Sequence, residues 1–203
     1  MLKKTIIFVL FFYTSNLFAQ KGEDSYRIEL EKHRIQYVKD LLAPPKPVLT
    51  AESAAEIKFF PPDLRYKISA DFLLTPTERT FEMATSSGKV KSYRKYGVAT
   101  FQWAEEKVQI AVYQNLALLT HPLYKDYLFV PFKDLTTGES TYGAGRYIDC
   151  RLSDIIEGKI MLDFNKCYNP YCAYSDGYNC PIPPAENELN IAIEAGIKTF
   201  EKH

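Results

Sequence analysis

A chain of 203 residues with 25 basic and 25 acidic side chains is long enough to bury a sizeable core and too evenly charged to carry the basic footprint of a nucleic-acid binder. The sequence offers three histidines, His33, His121 and His203, and no GxSxG elbow, HExxH pair, Walker loop or dinucleotide fingerprint, which leaves triad hydrolysis and phosphate cradling with little material. Fifteen Tyr and thirteen Phe favour sheets, because aromatic side chains pack well on a pleated surface.

In chain order, residues 1–19 open on Lys3 and Lys4, continue through an apolar stretch at 6–13 and a polar break at 14–16, and end on the small Ala19. This is the pattern of a secretion signal cleaved after Ala19. A membrane anchor needs about 20 apolar residues and this run is shorter. Gln20, rather than a cysteine, would begin the mature chain, so a lipid has no attachment atom. The expected product is one domain, 20–203, periplasmic or secreted, with no membrane span after cleavage.

From 25 to 42 apolar residues recur at Tyr26, Leu30, Tyr37 and Leu41, with Ile28, Ile35, Val38 and Leu42 beside them, which predicts an amphipathic helix. Asp24 or Ser25 would cap its start, Pro44 and Pro45 would stop it, and His33 would lie on its solvated side. A helical turn is expected within 51–58. Past Pro61 and Pro62 the period becomes two: Leu64, Tyr66, Ile68, Ala70, Phe72 and Leu74 alternate with polar residues, as in a half-buried strand. Further strands are expected at 79–85, 90–103, 107–113, 127–132, 146–152, 159–165 and 189–193. Short connections between them make antiparallel hairpins. The fold class is mainly β (α+β): about eight strands in an antiparallel barrel or two-layer sandwich, with the helix outside. The stretch 169–190 reads as an ordered functional loop.

Cys150, Cys167, Cys172 and Cys180 would meet an oxidising compartment, so disulfides are expected. Of the three pairings four cysteines allow, Cys172 with Cys180 makes a local staple, contributing about 2–3 kcal/mol, and leaves Cys150 with Cys167. The spacing lacks the CxxC pairs of a zinc site, and no metal or cofactor is expected. If residues 156–159 close a hairpin, Arg146, Ile148 and Cys150 share a face with Asp163, Asn165 and Cys167. A guanidinium among apolar neighbours needs a carboxylate or a ligand anion, and Asp163 is the candidate partner. Two readings stay open. One is a structural ion pair. The other is a pocket of Arg146, Asp163, Asn165, Asn169, Glu186, Asn187 and Tyr142 that grips a small polar or anionic molecule. Asp163 and Glu186 could also form the acid/base pair of a histidine-independent glycoside or ester hydrolase. A structural or partner-binding envelope protein is the third alternative.

The segments FFPPDLRY (59–66), TSSGKVKSYRKYGVATF (85–101), LFVPFKDLTTGESTYGAGRYID (128–149) and LDFNKCYNPYCAYSDGYNCPIPPAENELNIAIEAG (162–196) resemble the bacterial and archaeal family of domain of unknown function 1684. The most specific parts are TYGAGRY, LDFN, YNPYCAY and CPIPPAEN. The resemblance implies that Arg146, Asp163, Asn165, Asn169, Cys172, Cys180, Glu186 and Asn187 lie on family motif positions, and it supplies no activity. Cys150 and Cys167 depart from the apolar or small residues expected there, so a bridge between them would be particular to this chain.

Overall fold

The computed structural model describes the backbone of residues 2–201 and the side chains of residue 20 and residues 22–201. The expected secretion signal at 1–19 lies outside the residues whose side chains are described. Among the described residues no helix is long and apolar enough to cross a membrane.

Helix α1 spans Leu2–Leu41, so Asp24 and Ser25 lie inside it and neither caps a start. Its stripe of Tyr26, Leu30 and Leu41 is buried and Tyr37 half-buried, whereas Ile28 and Ile35 point the opposite way into solvent. Polar contacts fix the helix on the sheet: the Tyr26 hydroxyl donates to Asp163 Oδ1 at 2.8 Å, and Arg34 Nη2 donates to the Phe60 carbonyl at 2.8 Å. A single turn, α2 (Ala51–Ala54), is capped by the Thr50 hydroxyl, which accepts the Ser53 N–H.

The remainder is mainly β, in α+β arrangement. The strands are β1 (Lys67–Leu74), β2 (Phe81–Ala84), β3 (Val90–Trp103), β4 (Glu106–Asn115), β5 (Tyr127–Phe132), β6 (Arg146–Arg151), β7 (Ile155–Ile156) and β8 (Lys159–Asp163). They form one antiparallel sheet in the order β6-β5-β4-β3-β1-β8-β7, with β2 added beside β3. The sheet is open and sandwich-like, curling until β6 and β8 approach each other. Its inner face encloses a core that includes Phe72, Phe101, Ile110, Leu128, Phe132 and Leu162.

Two expectations fail here for a local reason. Residues 157 and 158 do make a tight hairpin turn, both with positive φ, as two-residue turns between twisted strands require. Its first strand, however, is β7 rather than β6. A helical turn at Leu152–Asp154, closed by the Asp154 carboxylate accepting the Arg151 N–H at 2.7 Å, separates the two. Hence β6 pairs only with β5, and β8 with β1 and β7. The register that would set Arg146 against Asp163 and Cys150 against Cys167 does not exist. Both cysteines are free and buried in the core; burial pushes the Cys150 thiol up to about 12, which makes it a packing group rather than a nucleophile. The Cys172–Cys180 bridge is present.

The stretch 189–193 is not a strand. Leu189, Ile191, Ile193 and Ala195 are buried in strict alternation and close the sheet's open side. Their ladder partner is interrupted by Asp134, whose carboxylate takes the Ile193 N–H at 2.7 Å where a carbonyl would otherwise stand. Gly145, with φ +95°, makes the tight entry to β6. A Cβ there would meet the Phe132 carbonyl at 2.6 Å, so a side chain is excluded by space as well as by backbone conformation.

Candidate functional site

The alternation that fills the core also builds a second layer on the sheet's outer face. Along β5, Leu128, Val130 and Phe132 point inward while Tyr127 and Phe129 point outward; along β6, Ile148 and Cys150 point inward and Tyr147 and Asp149 outward. Tyr93 of β3 continues the outer layer, stacked on Phe129 with ring centroids 5.8 Å apart. Helix α1 and the segment 166–181 close over these rings and leave a cavity of about 720 Å³. That is ample for a small organic molecule, since ligand sites run from about 300 to 1,000 Å³.

Asp149 lies in the wall of this cavity, set on β6 opposite Phe129. Its Oδ1 accepts the hydroxyls of Tyr127, at 2.7 Å, and Tyr168. Tyr168 is held in place by an antiparallel bridge between its backbone and that of Tyr147. Among the described residues no cation pairs with Asp149. Arg151 is occupied by Asp126 at 2.7 Å and by the Leu123 carbonyl, and Lys166 by Glu29 at 2.6 Å and Asp163 at 3.8 Å.

The electrostatics follow. Asp149 is solvent-exposed where it opens onto the cavity, and the protein packed around it raises its pKa by desolvation against the opposing pull of the two phenol donors and of Arg151. Desolvation first, then the charge of Asp149 for Tyr127 and the neighbouring Tyr127 and Asp149 for Tyr168, hold both well above the usual tyrosine range; both stay protonated donors. His33 of α1 borders the cavity, and desolvation together with the Lys166 ammonium holds it below the ordinary histidine value, which disfavours a positive charge there. The result is a carboxylate with one oxygen fixed by two hydroxyls and the other free to accept, among tyrosine rings. Such a site can hold a donor group or a cation and stack a flat or apolar body.

The residues singled out from the sequence are placed elsewhere. Arg146 is fully buried on the inner face, where Nη1 donates to the Ala195 carbonyl at 2.5 Å and Nη2 to the Ile193 carbonyl at 2.8 Å. Its carboxylate partner is Asp134, at 3.3 Å, not Asp163. Asn165 clasps the backbone of Asp63, accepting its N–H at 3.0 Å and donating to its carbonyl at 2.8 Å; Asp163 serves Tyr26 and Asn165. Asn169 donates to the Lys198 carbonyl at 3.0 Å, and Tyr142 packs in the cluster around Leu41 and Tyr174. Asn187 bridges β4 and β5. Glu186 takes the Tyr113 hydroxyl and the Lys95 ammonium, both at 2.7 Å. Asp163 and Glu186 therefore belong to separate networks, and neither borders the cavity. Of the expected set only Cys180 touches it.

Sequence reasoning passed over Asp149, Tyr127 and Tyr168. One signal was present for Tyr127: it, Phe129 and Tyr147 are aromatics at outward positions of β5 and β6, where a solvated face would carry charges.

The family model described as Protein of unknown function (DUF1684) matches residues 53–198. Among solved structures, the solution NMR structure of an uncharacterised protein from Haloarcula marismortui is similar, with 28% identity over 90% of this chain and 99% of that one and a TM-score of 0.68. No curated protein matches the chain.

Proposed function

Since the chain belongs to the family of proteins of unknown function DUF1684, whose description carries no activity, we propose from the site itself that it binds a small organic molecule in the tyrosine-lined cavity, anchored on Asp149. The observation that carries this reading is the Asp149 carboxyl: set in the cavity wall, accepting two tyrosine hydroxyls, and without a cation among the described residues. A carboxyl that has lost part of its hydration and has no cation beside it gains from a ligand that supplies the missing partner. The ligand therefore presents a hydrogen-bond donor or a positive charge to Asp149 and an apolar or flat portion to the rings. The reading keeps the exported location drawn from residues 1–19. The Cys172–Cys180 bridge beside the cavity supports it, because such bonds persist in oxidising compartments.

The test is a panel of amines, amino acids, short peptides and monosaccharides, read by amide chemical shifts in the protein. At least one class should perturb Tyr127, Asp149 and Tyr168 together and saturate. Asp149→Asn should abolish that response, while Glu186→Gln, outside the cavity, should leave it intact. Saturation without any change at these three residues, or undiminished binding by Asp149→Asn, would remove the proposal.

A further inference from the structure

Resting on that reading of the cavity, we infer that its ligand is a neutral saccharide, its ring stacked on Tyr171 and its hydroxyls held by polar side chains of the wall, Asp149 among them. The mixture of charges around the chamber narrows the class. Two carboxylates border it without a cation among the described residues, Asp149 and Asp40. Two ammonium groups border it as well: Lys91, which has no carboxylate among the described residues, and Lys166, which has Glu29 and Asp163. A ligand of either net charge therefore meets its own sign on the wall. A neutral polyol does not, because each hydroxyl donates to a carboxylate or accepts from an ammonium as its position requires.

The bonds already made around the chamber are bonds to neutral partners. Asp149 Oδ1 takes two phenol hydroxyls. Asp40 Oδ1 takes the Gln36 amide at 2.7 Å, one turn back on α1, which leaves Asp40 Oδ2 and the Gln36 side-chain oxygen open. Asn179 Oδ1 takes the Thr85 and Ser87 hydroxyls, which fixes the amide plane and leaves Nδ2 to donate. Each of these planar side chains is held at one polar atom and keeps the other free among the described residues. That arrangement receives a hydroxyl with little reordering of the protein.

The rings divide into floor and rim. Tyr93, Phe129 and Tyr147 are buried, whereas Tyr171 borders the same cavity with 41% of its surface exposed. Tyr178 meets it in a T-shaped contact with ring centroids 5.1 Å apart, which braces Tyr171 and occupies at most one of its faces. Tyr171 also lies within the fields of both carboxylates: after desolvation, the charge of Asp40 and, more weakly, that of Asp149 raise its pKa. Ring and acceptors are therefore neighbours in one chamber. The C–H face of a pyranose packs on the electron-rich face of a tyrosine ring, while its rim of hydroxyls meets the carboxylates and amides.

Amide chemical shifts and titration calorimetry with glucose, galactose, mannose, N-acetylglucosamine, maltose, cellobiose and lactose test this. Glucosamine, glucuronate and alanine serve as cationic, anionic and zwitterionic counterparts. At least one neutral sugar should saturate while shifting Asp149 and Tyr171, with an affinity unchanged between about 0.05 M and about 0.5 M salt, a range that screens a charged ligand. No charged counterpart should bind more tightly, a comparison that needs no variant. Tyr171→Ala should weaken the sugar about tenfold, and Tyr171→Phe should retain it, since the ring rather than its hydroxyl does the stacking. An amine, an acid or alanine bound in preference to every neutral sugar, and lost in Asp149→Asn, overturns the inference and leaves the cavity reading standing. A sugar bound equally well by Tyr171→Ala, or shifting neither residue, overturns the inference as well. No binding by any of these compounds removes both.

Discussion

Arg146→Met should be the most damaging substitution in the molecule, lowering stability by about 3–5 kcal/mol, the usual penalty for removing one partner of a buried ion pair. Met keeps most of the volume, so the loss isolates the charge. Asp134, whose side chain is as fully enclosed as that of Arg146, would be left as a buried carboxylate, still accepting from Thr136, Thr137 and the Ile193 N–H but with no cation. The Ile193 and Ala195 carbonyls would also lose their donor, and these residues close the open side of the sheet. A thermal midpoint some 10 °C lower follows, at about 2–4 °C per kcal/mol for a chain of this size. A second change, Asp134→Asn, should recover part of the loss by removing the stranded charge. Denaturant unfolding of the two single variants and the double variant measures this coupling; an Arg146→Met protein within 1 kcal/mol of the parent, an order-of-magnitude threshold for one ordinary hydrogen bond, would refute the assignment.

Asn187→Ala should cost about 3 kcal/mol, because its amide stands in for a stretch of missing sheet. β4 and β5 pair at Tyr113 and Phe129 only, and Pro131 on β5 has no N–H to offer. The Asn187 side chain fills the gap: its Oδ1 accepts the Ala111 N–H at 2.7 Å, and its Nδ2 donates to the Ala111 carbonyl at 2.9 Å and to the Pro131 carbonyl at 2.7 Å. The residue is completely buried, so water does not replace these bonds, and each abandoned group carries a desolvation penalty of about 1–3 kcal/mol. Hydrogen exchange at the Ala111 amide should accelerate by far more than exchange elsewhere on β4. Unchanged protection at Ala111 would mean that the ladder closes without the asparagine.

Much of the fold was legible in the sequence, for reasons visible in single residues. The alternation of β3 gave its bounds, 90–103, directly, and the inward facing of Arg146, Ile148 and Cys150 is as expected. A charge on that face did require an internal partner. What alternation does not encode is which strand lies next door: the Leu152–Asp154 turn breaks the chain's return path, and Asp134 comes from a loop. Arg146, Asn165 and Asn187, which looked like a ligand site, are side chains that take the place of backbone partners, while Glu186 joins the Tyr113 hydroxyl to Lys95; such structural duty leaves the same residue types at the same motif positions. The cavity was missed because one strand's pattern says only that Tyr147 and Asp149 face away from the core. That α1 and the 166–181 segment cover that face is a tertiary fact. The stripe on α1 foretold burial of Leu30 and Leu41, yet not that His33, Gln36 and Tyr37 would roof a chamber.

The central claim is that Asp149 is an uncompensated carboxylate at the cavity wall, and its own titration tests this most directly. Carbon-detected NMR on protein labelled at aspartate carboxyls should find Asp149 titrating above the ordinary value of about 3.9. By linkage, the ionisation of Asp149 then costs stability: its contribution is most favourable below the unfolded-state pKa and declines as pH rises through the folded one. Saturation with a ligand that donates a hydrogen bond to it should draw the titration back down. A carboxyl that titrates at or below 3.9 in the free protein would mean that the fold already supplies its counter-charge, and the cavity would have no claim on a ligand.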